Sequence, residues 1–455
     1  MRPGTSVRKK AGRRSYSAFM TASPKAPDFA RRGLVVLSLI NLFNYVDRYI
    51  IAAISESLRH SSLHISDLQY GLLGSGFIVV YMATAPVFGA LGDTRSRPRL
   101  IALGVTIWSV ATALGGLAWS FASLLAARAM VGVGEAAYGT ISPSLLADYF
   151  RKEFRGRVFG VFFLAIPVGF GLGLAIGGLM DVHFGWRSAF FVAGVPGLIL
   201  AALALKLHDP PRGIQDIVTP SDSEGDVTPS AAVTPSAVVT PSASEGGVAA
   251  AYRALLRNRP YVLTVLGYAA YTFALGGMAL YIVKFLERVR GVSEGQASVG
   301  FAAVVIATGL IGIALGGWLS DRLLRVTKQS YLWVSGIATL IAAPLALVGV
   351  TSATPAIYWS AIVLAQLLLF SSTGPVNSAI VNVVRPEIRA TAVAVSIFTI
   401  HILGDVPSPT MIGWISDATS LGRAVLIIPV ALLVSGGIWT YSAWKGDNLA
   451  RRAGP

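Results

Sequence analysis

Stretches of about twenty apolar residues, separated by short polar loops, recur along the chain. They fall at about 33–54, 71–91, 100–120, 122–147, 158–180 and 187–207, and again at about 261–285, 296–320, 330–350, 356–380, 390–413 and 423–444. Roughly twenty helical residues cross a hydrocarbon core about 30 Å thick, so each stretch predicts one membrane-spanning helix. The pattern predicts an all-α membrane protein of twelve spans.

The stretches divide into two sets of six around a segment in which Val-Thr-Pro-Ser recurs at Val218, Val227, Val233 and Val239. Its small, polar and proline-rich composition cannot bury a core, and a disordered linker is expected there. Corresponding loops in the two sets also match. Gly89-x-x-x-Asp93 with Arg95 follows the second span, and Gly317-x-x-x-Asp321 with Arg322 follows the eighth. Arg151-Lys-Glu153-Phe-Arg155-Gly follows the fourth span, and Arg385-Pro-Glu387-Ile-Arg389-Ala the tenth. These matches predict two pseudo-symmetric six-helix bundles. The expected organisation is a tail over 1–30, a bundle over 31–209, the linker over 210–255, a second bundle over 256–446 and a short tail over 447–455.

Composition agrees with this picture. Of 455 residues, 54% are hydrophobic and 13% charged, against about 25% charged in soluble domains. Mean hydropathy is +0.65. A net charge of +15 would suggest nucleic-acid binding in a soluble protein, but here the charges sit between apolar spans and no nucleic-acid partner is expected. The basic residues cluster in alternate loops, with Arg95, Arg97, Arg99, Arg151, Lys152, Arg155, Arg157, Arg322, Arg325, Lys328, Arg385 and Arg389 on one side. The opposite side receives only Arg59, Arg187, Lys284, Arg288, Arg290 and Arg423. By the positive-inside rule both termini are expected to be cytoplasmic. The basic N-terminus lies too far from the first apolar run for a cleaved signal peptide, so a cytoplasmic tail is expected. The chain has no cysteine, which excludes disulfides and thiolate chemistry. No histidine spacing suits a metal and no nucleophile stands beside a base, so neither an enzyme nor a cofactor is expected.

Ionisable side chains within the spans carry the candidate chemistry, because an unpaired charge at membrane depth is costly. Asp47 lies about two turns below the outer end of the first span, and Arg128 about two turns below the outer end of the fourth. Their equal depth predicts a pair. Glu135, seven residues beyond Arg128, returns to nearly the same helix face about 10 Å deeper. Two readings stand: a static pair that fixes helix packing, or a proton-coupled switch in which Asp47 releases Arg128 on protonation. In the second, the freed guanidinium grips a phosphate or carboxylate. Arg48 either lines a cavity or reaches a partner helix. His401 and Asp405, one turn apart in the eleventh span, form a second polar pair that either packs helices or relays protons. Phe43, Tyr45, Phe163, Phe170, Tyr271, Phe273 and Phe370 are available as aromatic surface for an amphipathic substrate.

Gly89-Ala-Leu-Gly-Asp93-Thr-Arg95-Ser-Arg97-Pro-Arg99 resembles the loop signature of the major facilitator superfamily. Within that superfamily the chain resembles the spinster-like group. Four stretches carry the likeness: Asn44-Tyr-Val-Asp47-Arg48, Arg128-Ala-Met-Val-Gly-Val-Gly-Glu135-Ala-Ala-Tyr138, Gly374-Pro-Val-Asn377 and His401-Ile-Leu-Gly-Asp405-Val-Pro-Ser-Pro409. One departure stands in the fifth span, where Pro167 precedes Gly169, Gly171, Gly173 and Gly177-Gly178 instead of forming the Gly-Pro pair of many antiporters.

The resemblance implies alternating access in a monomer, with a lysolipid or sphingolipid-phosphate-like anion as substrate. The charges within the spans make Asp47, Glu135, His401 and Asp405 the expected proton-coupling residues, and Arg48, Arg128, Glu135 and Asn377 the expected substrate contacts. Conformational gating falls to Asp93, Arg97, Arg155, Asp321, Arg322 and Arg389, whose charge pairs would tie the halves together in one state. A proton-coupled symporter of a small organic anion is the alternative. The bias to arginine and the lack of cysteine suggest a bacterial plasma membrane.

Overall fold

The computed structural model describes residues 28–150, 152–215, 247–384 and 389–452. The Val-Thr-Pro-Ser repeats and the side chains of Arg155 and Arg389 lie outside the described residues.

Among the described residues, one long helix stands at each of the twelve expected spans. The first six are α1 (Asp28–Ala53), α2 (Asp67–Thr94), α3 (Arg97–Gly115), α4 (Phe121–Tyr149), α5 (Lys152–Phe163 continuing as Ala165–Phe184) and α6 (Trp186–Ala204). The second six are α7 (Arg259–Arg288), α8 (Glu294–Leu323), α9 (Ser330–Thr351), α10 (Pro355–Asn382), α11 and α12 (Ile427–Arg452). Helix α11 is composite: Arg389–Ile400, a π-helical turn over His401–Asp405, then Pro407–Ala418. Short helices also form at Ser55–His60, Gly247–Arg257 and Leu421–Ala424. The first of these follows directly on α1, and the second begins inside the stretch expected to be linker and ends just beyond it.

Local chemistry sets the helix starts. Ser66 and Gln69 form a capping box at α2, with Gln69 N donating to Ser66 Oγ at 3.2 Å and Ser66 N to Gln69 Oε1 at 3.0 Å. The Asn258 side chain accepts from Tyr261 N at the start of α7, where Pro260 has no N–H that would need an acceptor. A helix as long as the 30-residue α7 rises about 45 Å, more than the hydrocarbon core requires. Large apolar residues such as Val110, Leu114, Ile199, Ile311, Leu315 and Trp318 are exposed on the outside of the bundle, where lipid would cover them. Among the described residues, eleven helices are long and apolar enough to span a membrane; α4, which carries Arg128 and Glu135, is not one of them.

The even number of spans brings both ends of the bundle out at one face, the terminal face; the opposite one is the far face. The halves meet where α5 packs on α8, α2 on α11 and α1 on α7. The α5–α8 seam depends on missing side chains: a methyl at Gly178 would overlap Ser298 Oγ, and one at Gly309 would lie 2.5 Å from Pro167 Cβ.

Two basic residues expected in loops at the far face are not there. Helix α7 runs on to Arg288, so Lys284 and Arg288 lie within it, and Lys284 is 0% exposed. The cause is a pair of carboxylates, Glu56 and Asp67, that face them from the first half.

Candidate functional site

Between the halves lies a cavity of about 300 Å³ lined by α1, α2, α4, α5, α7, α8, α10 and α11. Helices α3, α6, α9 and α12 contribute nothing to it, and they occupy corresponding places in the two repeats. Most of the wall is apolar, with Phe170, Leu275, Met278, Phe301, Leu369 and Phe370 prominent. Four ionisable side chains interrupt it: Arg48 and Arg128 from the first half, His401 and Asp405 from the second.

Asp47 and Arg128 stand opposite each other, with Oδ1 3.8 Å from Nη1 and both side chains nearly inaccessible. Thr112 of α3 donates to the other carboxylate oxygen of Asp47. One residue along α1, Arg48 points into the cavity and donates to Glu135 Oε2 from Nη2 at 2.5 Å and from Nε at 3.2 Å. Both open readings of Arg48 therefore hold together: it lines the cavity and it binds a partner helix. Helices α1 and α4 are thus joined by two rungs of opposite polarity. Because Glu135 sits two turns from Arg128 while Asp47 and Arg48 are neighbours, the long Arg48 side chain must slope along the helix to reach it.

Phe77 of α2, absent from the expected aromatics, separates the two cations. Its ring centroid is 5.0 Å from each guanidinium carbon. Tyr45 and Tyr81 also flank Arg48, at 5.2 and 5.8 Å. The ring faces stabilise the cations without neutralising them, which leaves the guanidiniums able to exchange carboxylate partners for an incoming anion. Tyr49, stacked on Phe170 at 3.8 Å between centroids, adds to the same wall. Of the expected aromatics, Phe170, Tyr271 and Phe370 line the cavity, whereas Phe43, Tyr45, Phe163 and Phe273 do not.

In the second half, His401 Nδ1 and Asp405 Oδ2 lie 2.7 Å apart. The π turn, closed by Val406 N to His401 O at 3.0 Å, brings residues four apart nearly into line and turns both into the cavity. Asn377 is not part of its lining; its amide donates to Tyr268 Oη at 3.3 Å, and Tyr268 is the lining residue.

The expected gating residues are placed differently from one another. Asp93 is exposed on the terminal face, Asp321 accepts from Tyr331 of its own half at 3.2 Å, and Arg322 stacks over Trp318 at 5.9 Å. Arg97 is buried within the first half. It binds Asp148, Asp209 through Nε at 2.8 Å, and the carbonyl of Pro210 at 2.6 Å. Among the described residues no ion pair joins the two halves at this face.

The family model described as Major Facilitator Superfamily matches residues 37–404. With twelve helices in two bundles and ionisable groups around a central cavity, the chain belongs to that superfamily of secondary transporters. Protein spinster of Drosophila melanogaster is 33% identical over 397 residues, covering 85% of this chain and 62% of that protein. Protein spinster homolog 1 of Homo sapiens is 34% identical over 405 residues, covering 84% of this chain and 72% of that one. The chain is a member of the spinster group. Among solved structures, a bacterial homolog to the human lysosomal transporter spinster, in an inward-facing and unoccupied conformation, has the same fold. The TM-score is 0.78 at 22% identity, over 92% of this chain and 98% of that one.

Proposed function

We propose that this chain moves an amphipathic anion, of the lysolipid or sphingolipid-phosphate kind, by proton-coupled alternating access. The observation that carries the proposal is the cavity itself: two guanidiniums on one wall, each held by a carboxylate, facing an apolar opposite wall. An anionic headgroup competes with Glu135 for Arg48 and with Asp47 for Arg128. Protonation of either carboxylate frees its arginine, so protons and the anion favour each other's binding by linkage. The apolar wall of α7, α8 and α10 takes the tail. His401 and Asp405 face the same space and supply a second proton site.

The positive-inside pattern supports cytoplasmic termini in a bacterial plasma membrane. With that orientation the terminal face is cytoplasmic. In the state closed at that face, Asp93 and Asp321 would engage partners across the halves. The working unit is the monomer, since the cavity lies wholly within one chain.

The test is uptake into proteoliposomes of labelled lysolipids and of small organic anions such as hexuronates, with and without an imposed pH gradient. Lysolipid uptake that depends on the gradient supports the proposal. Ready hexuronate uptake with none of lysolipid replaces it with the small-anion reading.

A further inference from the structure

We infer that the short helix Gly247–Arg257 is a docking surface for anionic phospholipid headgroups at the terminal face of the membrane. The inference rests on α7 crossing the bilayer and on no particular substrate.

The residues of this helix sort themselves around its circumference. Leu255 is 1% exposed, whereas Leu256 is 71% and Tyr252 46% exposed. Arg253 and Arg257 are exposed as well. Each residue of an α-helix turns by about 100°, so Tyr252 and Leu256, one turn apart, form one stripe. Arg253 and Arg257 form a second about 100° further round, and the buried Leu255 lies on the other side of the apolar stripe. Protein contact, exposed apolar surface and positive charge therefore follow one another in that order. A helix lying along the edge of a bundle in the plane of a membrane surface has this arrangement, with its apolar stripe toward the acyl chains and its arginines at the phosphates.

Position along the chain sets the same level. The 30 residues of α7 rise about 45 Å, the thickness of a bilayer with its headgroups. Arg259, the first residue of α7 and also exposed, thus stands among the headgroups. Asn258, at φ −79° and ψ 89°, breaks the short helix from α7. Leu255 holds it down, packing with Tyr261 and Val265 of α7, Ile380 at the end of α10, Val384 just beyond it and Ala392 at the start of α11. Two bonds fix this corner: Asn258 Nδ2 donates to Val383 O at 2.6 Å, and Tyr261 Oη donates to Ala392 O at 2.7 Å.

Charge selects the partner. Gly247 to Arg259 holds three arginines and no acidic residue. A guanidinium grips a phosphate in a bidentate way, and a tyrosine beside it suits the boundary between headgroups and acyl chains. Headgroup binding anchors the terminal ends of α7, α10 and α11 together, because Leu255 and Asn258 join all three.

The chain has no cysteine, so a single spin label can be placed by Leu256→Cys or Ala254→Cys, both at exposed positions. The full chain is reconstituted in nanodiscs of phosphatidylcholine alone or mixed equally with phosphatidylglycerol. Collisions of the label with oxygen, which concentrates in lipid, and with a water-soluble nickel complex report immersion. The label at position 256 should favour oxygen and the label at 254 nickel. Phosphatidylglycerol should raise the ratio of immersed to free label at 256. Arg253→Gln and Arg257→Gln should each lower that ratio by about fivefold in the mixed discs and leave it unchanged in phosphatidylcholine alone, in variants whose thermal melts match wild type. A label at 256 that meets nickel as often as the label at 254 in both lipids overturns the inference. Immersion that ignores phosphatidylglycerol or survives both arginine replacements does so too, since the apolar stripe would then act alone. A label shielded from both reagents also overturns it, by marking the stripe as covered by protein.

Discussion

At the scale of single residues, the site is two ion pairs that share an aromatic spacer, and its proposed chemistry is a competition for guanidiniums. Arg128→Ala should abolish transport of an anionic amphiphile, a loss of at least about tenfold if a charge-assisted bond is removed, while a thermal melt stays cooperative. Asp47→Asn imitates the protonated form. Wild-type spin-label distances should change as pH falls and Asp47 lets go of Arg128, whereas the variant should show the low-pH distribution at every pH; an equal pH response in both would leave Asp47 a packing residue. Counting residues from the span ends suffices to set Asp47 opposite Arg128, because depth in a helix is nearly linear in residue number. It cannot pair Arg48 with Glu135, since that bond depends on how helices α1 and α4 tilt and how far a long side chain slopes. Phe77 was hidden for a related reason: an isolated phenylalanine in an apolar span carries no signal of which neighbour it faces.

At the scale of elements, α2 is bound to the second half only over its outer part. Asp67, Tyr70 and Ser75 all bond across, Ser75 Oγ reaching Val406 O at 2.5 Å, and among the described residues the remainder of the helix toward Asp93 does not. Tyr281→Phe removes a buried bond from α7 to Asp67 O and should lower stability by about 1 kcal/mol, read as a lower melting temperature of the purified protein. Along α5 and α8, Gly178→Leu should be far more damaging, because its side chain meets Ser298 with no space to yield; reduced thermal stability and lost uptake are the expected outcomes. The twelve long helices were legible, but the short helix Gly247–Arg257 and the helix ends were not. Lys284 and Arg288 look like loop residues from hydropathy alone, and only the facing carboxylates, some 220 residues earlier in the chain, make it favourable to carry α7 through them. Arg97 misleads in the opposite sense: its partner Asp209 arrives when the chain after α6 folds back, which no local pattern announces.

At the scale of the whole molecule, the duplicated loops identify two halves, and the charge bias is the basis of the proposed orientation. A thiol reagent that cannot cross the membrane should label Ser62→Cys in intact cells and fail to label Leu324→Cys; the reverse pattern would invert the proposed topology. The twofold plan also explains why the inner helices carry the chemistry. In each half the first, second, fourth and fifth spans face the partner or lie next to it, and α3, α6, α9 and α12 are left to support them.

The polarity of α4 bears on how the protein is made. An arginine or a carboxylate at the centre of an isolated helix costs about 2.5 to 3.5 kcal/mol on insertion scales, and α4 holds one of each, two turns apart. Their partners, Asp47 and Arg48, belong to α1, which emerges from the ribosome some 80 residues sooner. Helix α1 must therefore remain beside the insertion machinery until α4 arrives, and the pair should enter the bilayer as one unit. A nascent chain in which Asp47 and Arg48 are both replaced by leucine should leave α4 poorly integrated, as glycosylation mapping would report, long before any question of transport arises.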